Sequence, residues 1–219
     1  MNYFPIMAQM NAIIADDHSF IRMALKQIIQ KEFSATVHEA EEGKQVLNIL
    51  RSHDINLIVL DISMPGRNGI EVMKDINNMY PDIPVLILSG YSEDQYAMRA
   101  LKAGASGYLT KDTAPQNLVE AINTIRNGDQ YITPKLAQKL VKEFKGGFDN
   151  KPLHESLSDR EYEVFCLIGF GLTISEIAEK QLLSPKTVST YRARILKKMN
   201  IKNNAEIMKY VIENGLLDK

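Results

Sequence analysis

The 219-residue, 24.8-kDa chain has room for one large or two smaller domains. Its 45% hydrophobic and 24% charged residues exclude wholesale disorder, and its uncharged runs, such as Val164 to Ser175, are too short to cross a bilayer. The net charge of −1 divides unevenly. Residues 1–130 hold 11 Lys+Arg against 16 Asp+Glu (net −5), residues 131–150 hold 4 against 2 (net +2), and residues 151–219 hold 11 against 9 (net +2). An acidic first part and a mildly basic second part suggest two kinds of partner.

In chain order, Ala12–Ala15, Ala35–His38, Leu57–Leu60, Val85–Leu88 and Gly107–Thr110 are short apolar or β-branched runs that predict strands. Helical periodicity falls between and after them, at about 20–31, 43–52, 69–79, 93–103 and 115–127. Strands alternating with helices predict a doubly wound α/β fold, a five-stranded parallel sheet covered on both faces. Ligands of such sheets bind at the carboxyl ends of the strands.

Pro134 opens a further helix through Phe144. The run Lys145-Gly146-Gly147-Phe148-Asp149-Asn150-Lys151-Pro152 then breaks regular structure. The expected division is 10–130, a linker with a helical segment at 131–152, and a second domain at 153–219.

That second domain reads as four helices, at about 159–169, 174–181, 185–199 and 204–214. Ser158 with Glu161 and Thr173 with Glu176 fit capping boxes, and Ser184-Pro185 fits an N-cap followed by proline at the first helical position. Only Leu182-Leu183-Ser184 separates the second and third helices, a helix-turn-helix connection. The single Cys166, among apolar neighbours, predicts a buried thiol and permits no internal disulfide. The first nine residues lack the Lys or Arg of a secretory signal, and a cytoplasmic protein is the simplest expectation. Met7 and Met10 are alternative starts.

The strand ends carry the chemistry. Asp16 and Asp17 follow the first strand, Asp61 ends the third, Ser89 ends the fourth and Lys111 follows the fifth. Three carboxylates at one edge repel each other unless a cation joins them. Lys111 supplies one positive charge, and clustered oxygen ligands suit Mg²⁺. Any one of these acids, taken alone, reads better as a turn or helix cap; all five positions at consecutive strand ends do not.

With Asp16-Asp17, Leu60-Asp61-Ile62-Ser63-Met64-Pro65-Gly66, Ser89, Tyr108 and Lys111 in this order, residues 10–130 resemble the receiver domains (flavodoxin-like) of two-component response regulators. The resemblance implies that Asp61 is the phosphoacceptor, supplied by a sensor histidine kinase, with Ser89, Lys111 and Tyr108 in support. It implies Mg²⁺ held by Asp17, Asp61 and the Ser63 carbonyl, with Asp16 acting through water. Tyr108 matches an aromatic switch position; a rim aromatic without a moving part is the other reading. Asp112 stands where the family often has proline, and Ser63 and Tyr91 occupy positions that influence loss of the phosphoryl group.

Residues 157–215 resemble the LuxR/NarL-type four-helix helix-turn-helix domain through Leu157-Ser158-Asp159-Arg160-Glu161, Glu176-Ile177-Ala178, Thr187-Val188 and Lys198-Met199. On the helix at 185–199, Lys186, Thr187, Ser189, Thr190, Arg192, Ala193, Arg194 and Lys197 are the candidates for contact with DNA half-sites. Alone, such a helix is an ordinary basic amphipathic one. Together the halves resemble a NarL/FixJ-type response regulator. That implies a DNA-binding transcription regulator without enzymatic turnover beyond slow gain and loss of the phosphoryl group, a homodimer when phosphorylated, and no membrane partner. Two other readings remain: a receiver used only for dimerisation or ligand binding, and an Asp-nucleophile phosphatase. The phosphatase usually needs a second Asp where this chain has Ser63.

Overall fold

The computed structural model describes residues 9–145 and 152–216; Met7 and the linker residues 146–151 lie outside them. The chain divides into two compact units, Met1–Ala137 and Gln138–Lys219.

In the first unit, β1 (Asn11–Ala15), β2 (Thr36–Ala40), β3 (Leu57–Asp61), β4 (Val85–Ser89) and β5 (Gly107–Thr110) form one sheet in the order β2-β1-β3-β4-β5. Every pairing is parallel. The central strands β3 and β4 are buried along their whole length, as apolar runs covered on both faces must be. The intervening helices are α1 (Ser19–Phe33), α2 (Gly43–Ser52), α3 (Gly69–Met79), α4 (Glu93–Lys102) and α5 (Ala114–Arg126). β2 lies one to two residues beyond its expected place. It is an edge strand with exposed or half-buried Thr36 to Glu39, so its apolar signal is weak.

Chain order reverses between β1 and β3, which opens a crevice at their carboxyl ends. Gly69 lets α3 start against that edge. A Cβ there would lie 2.1 Å from the Asp61 carbonyl oxygen. Asn68, fully buried, caps α3 by accepting from the Ile70 amide at 2.8 Å.

The first unit continues past α5. The Tyr131 amide donates to the Ser106 carbonyl at 2.9 Å, and Tyr131 forms a one-residue parallel bridge with Gly107. α6 (Pro134–Lys145) follows, and its Leu136 is 2% exposed.

The second unit contains a short 3₁₀ turn (Leu153–Ser156), then α7 (Asp159–Gly169), α8 (Ile174–Lys180), α9 (Pro185–Met199) and α10 (Asn204–Glu213). Both expected capping boxes form, Ser158 with Glu161 and Thr173 with Glu176. α7 is the central helix, buried from Glu161 to Gly169, and Cys166 is sealed within it. A Cβ on Gly169 would meet Val211 at 2.7 Å, so glycine permits the close α7–α10 approach. The turn between α8 and α9 passes through Leu182, whose φ is 51° and whose side chain is 71% exposed.

Candidate functional site

The parallel register carries Asp16, Asp61, Ser89 and Lys111 to one edge of the sheet. Asp16 and Asp61 are both fully buried, an arrangement that two carboxylates sustain only beside a cation. Lys111 Nζ lies 2.8 Å from Asp16 Oδ2 and 2.8 Å from Asp61 Oδ2. The Lys111 amide donates to the Ser89 carbonyl at 2.7 Å, which fixes the root of that side chain.

Burial raises the pKa of Asp61; the Lys111 charge opposes it and the Asp16 charge adds to it, leaving a value of about 6. Burial pulls Lys111 down, but its interactions with the Asp61 and Asp16 carboxylates outweigh it, so the ammonium sits above its ordinary value. The Ser63 amide donates to Asp61 Oδ1 at 3.1 Å.

Asp16 Oδ1 accepts from the His18 amide at 2.8 Å. Asp16 Oδ2 is buried and accepts no well-aligned hydrogen bond, facing Lys111 by charge alone. Asp17 is exposed at the rim, with its Oδ1 2.6 Å from His18 Nδ1. Ligand atoms of Asp16, Asp17, His18 and Asp61 lie within 4.8 Å of one another. Three carboxylates and Lys111 give the cluster a formal charge of −2. A buried oxygen without an aligned donor and a net charge of −2 fit a hard divalent cation, so the cluster is compatible with Mg²⁺.

Ser89, fully buried, accepts from the Tyr91 amide at 3.0 Å. Tyr108 is 1% exposed, so its ring is buried in the unit. Its hydroxyl donates to the Tyr91 carbonyl at 2.8 Å and lies 3.4 Å from that of Ser92. Burial pushes its phenol well above the usual range. The Tyr91 ring stacks on Tyr96, with centroids 4.7 Å apart.

Two pocket residues escaped the sequence reasoning. His18 lies over the pocket, 3.4 Å from Lys111 Nζ. Arg22 donates from Nη1 to the Asp16 carbonyl at 2.7 Å. The one sequence signal for Arg22 is a charge on the apolar stripe of α1, between Ile21 and Leu25.

In the second unit, Val188, Ile195 and Met199 turn inward from α9. Lys186, Ser189, Thr190, Ala193 and Lys197 are exposed, and spacings of 3, 4, 7 and 11 align them on one face. Arg194 is exposed beside that face. Thr187 and Arg192 are half-buried, and Arg192 Nε donates to Asn204 Oδ1 at 2.6 Å, tying α9 to the start of α10. Thr190 Oγ1 donates to the Lys186 carbonyl at 2.9 Å. Its hydroxyl hydrogen is therefore spent within the helix.

Two family descriptions match the chain: "response regulator receiver domain" over residues 12–123 and "bacterial regulatory proteins, luxR family" over residues 155–211. The oxygen regulatory protein NreC of Staphylococcus carnosus is 34% identical over 216 residues, 95% of this chain and 100% of that protein. The response regulator UvrY of Escherichia coli is 32% identical over 207 residues, 94% of this chain and 95% of that one. Among solved structures, RcsB of Salmonella enterica serovar Typhimurium, bound to promoter rprA in the presence of phosphomimetic BeF₃⁻, superposes with a TM-score of 0.62. It is 26% identical and covers 93% of this chain and 99% of its own.

Proposed function

Because the chain belongs to the response regulators that join a receiver domain to a luxR-family regulatory domain, we propose that Asp61 accepts a phosphoryl group from a sensor histidine kinase and that the phosphorylated protein dimerises and binds promoter half-sites through α9. The observation that carries this reading is the Lys111 ammonium set 2.8 Å from the buried Asp61 carboxylate, beside a cluster suited to a divalent cation. The receiver function is assigned to residues 10–130, the linker to 131–152 and DNA binding to 153–219.

An Asp61 oxygen attacks the phosphorus of phosphohistidine. The P–N bond breaks, its electron pair stays on the imidazole, and an aspartyl phosphate remains. Asp17, Asp61 and the Ser63 carbonyl would hold Mg²⁺, with Asp16 acting through water. When bound, the ion supplies charge stabilisation at the transferred oxygens. Lys111 neutralises a further share, and Ser89 offers its hydroxyl to the phosphoryl group. Movement of Ser89 pulls on the Tyr91 amide that it holds, and so on the carbonyls where Tyr108 rests. The protein acts as a regulator and not as a turnover enzyme. None of the described helices is long and apolar enough to cross a membrane; the luxR-family DNA-binding domain supports a cytoplasmic site of action.

Relatives support the DNA reading: the RcsB structure contains promoter DNA. On the helix face of this chain, Lys186, Lys197 and Arg194 suit phosphates, while Ser189, Thr190 and Ala193 face the bases. Thr187 and Arg192 flank that face.

Treatment with acetyl phosphate and Mg²⁺, followed by intact mass, tests the assignment. Wild type gains one phosphoryl group and Asp61→Ala gains none. Footprinting of both proteins then reads whether occupancy of promoter half-sites follows phosphorylation. Equal labelling of the variant would overturn the site.

A further inference from the structure

We infer that Arg22 is a positioning residue for the acidic pocket, its guanidinium fixing the Asp16 main chain so that the carboxylate meets the cation in one geometry. Arg22 is 6% exposed, unusual for a side chain that ordinarily stays hydrated. Nη1 donates to the Asp16 carbonyl at 2.7 Å and Nη2 to Glu41 Oε1 at 2.5 Å, while Nε lies 3.5 Å from Glu39 Oε2. One planar group thus joins α1, the end of β1 and the end of β2.

Every polar atom of Asp16 except Oδ2 is thereby hydrogen-bonded. Its amide donates to the Ala40 carbonyl at 3.1 Å, its Oδ1 accepts from the His18 amide, its Oδ2 faces Lys111, and Arg22 holds its carbonyl. The carboxylate has little freedom left in which to turn away. Glu39 and Glu41 have a second effect. They offset the Arg22 charge, which would otherwise repel a cation a few ångströms away. Lysine cannot substitute, because a single nitrogen does not span acceptors on two strands in a plane.

The inference rests on the acidic cluster being a cation site, so the wild-type titration comes first. Calorimetric titration of the full chain with Mg²⁺ is compared for wild type, Arg22→Lys, Arg22→Gln and Lys26→Gln, with a urea unfolding curve for each. Lys26→Gln is the control. It breaks another α1–β2 ion pair, Lys26 Nζ to Glu39 Oε1 at 2.6 Å, without touching Asp16. Both Arg22 variants are expected to bind Mg²⁺ about 10–100-fold more weakly, the usual effect of losing a group that orients a ligand. Lys26→Gln is expected to lose stability and keep its affinity. Asp16→Asn should shrink the effect of Arg22→Lys, because the carboxylate that Arg22 orients is then gone.

Folded Arg22→Lys with wild-type affinity would overturn the role, as would an equal loss of affinity in Lys26→Gln. Should both Arg22 variants fail to fold, Glu41→Ala at an exposed position removes one anchor of the guanidinium. A smaller loss of affinity supports the role, and an unchanged affinity overturns it. A wild type that binds no Mg²⁺ at all would overturn the cation reading itself, a result distinct from every variant outcome.

Discussion

Thr133 Oγ1 donates to Glu93 Oε2 at 2.7 Å while accepting from the Leu136 amide at 3.2 Å. One hydroxyl therefore caps the first turn of α6 and ties that turn to the first turn of α4, where Lys135 also pairs with Asp94 at 2.6 Å. Thr133→Ala removes both bonds and is expected to cost about 1–2 kcal/mol, whereas Thr133→Ser costs much less. Hydrogen exchange at the Leu136 amide is the local readout. Unaltered exchange in the alanine variant would show that the cap does not hold this turn.

Asp61 sets a pH dependence whose sign is fixed by its raised pKa. A carboxyl whose pKa rises from 3.8 to about 6 on folding lends stability below pH 3.8, and that stability is lost as pH climbs through 6. Metal-free Asp61→Asn should therefore match wild type near pH 4 and exceed it at pH 7.5, by up to about 3 kcal/mol. Urea unfolding in chelator at the two pH values measures the difference. A variant less stable than wild type at pH 7.5 would contradict the burial argument.

Thr190 presents a methyl group rather than a donor, because its hydroxyl hydrogen goes to Lys186. Thr190→Val keeps the methyl and is expected to keep the preferred base. Thr190→Ser keeps the hydroxyl and is expected to relax discrimination by about 1 kcal/mol at one position per half-site, as loss of contact with a thymine methyl would. Binding-site selection with the two variants separates these outcomes. The reverse result would place the hydroxyl, not the methyl, against the base.

Lys197 and Arg192 should behave differently although both are cations of α9. Lys197→Ala is expected to weaken binding on all sequences and lower the salt slope by about 1. Arg192→Ala is expected to act first on folding, by about 1–2 kcal/mol, through loss of its bond to Asn204. Thermal unfolding combined with salt-dependent DNA titration tells them apart. A salt slope changed equally by both would make Arg192 a phosphate contact.

Leu182 is a leucine in the left-handed region with most of its side chain in solvent. Little burial is lost on replacing it, and asparagine tolerates this backbone better. Leu182→Asn is expected to stabilise by about 0.5–1 kcal/mol and Leu182→Ala not at all. Urea midpoints of the two variants decide; a stabilised alanine variant would mean that the backbone is not the cause.

Periodicity made most elements legible, because the apolar residues of β1, β3 and β4 and the capping residues of the second unit act through their immediate neighbours. Ser158–Glu161 and Thr173–Glu176 form as read. The pocket aspartates were legible through their places at strand ends. Contacts that join distant segments left no such trace. Arg22 reaches Glu41 across 19 residues and Thr133 reaches Glu93 across 40. Arg192 offered only its charge to the sequence reading, and its bond to Asn204 depends on how α9 and α10 pack. Residues 131–136 followed a glycine and a change of pattern, while in the structure they fall within the first compact unit.

Tyr131 covers the start of the β5 edge, and β5 itself has only four residues. A foreign strand approaching that side finds the Ser106 carbonyl already taken and little ladder left to extend. Copies gathered along one stretch of DNA therefore find no ready ladder at the start of β5 by which to continue each other's sheet. A single aromatic residue thus takes up the first rung that fibre-like growth from that side would use.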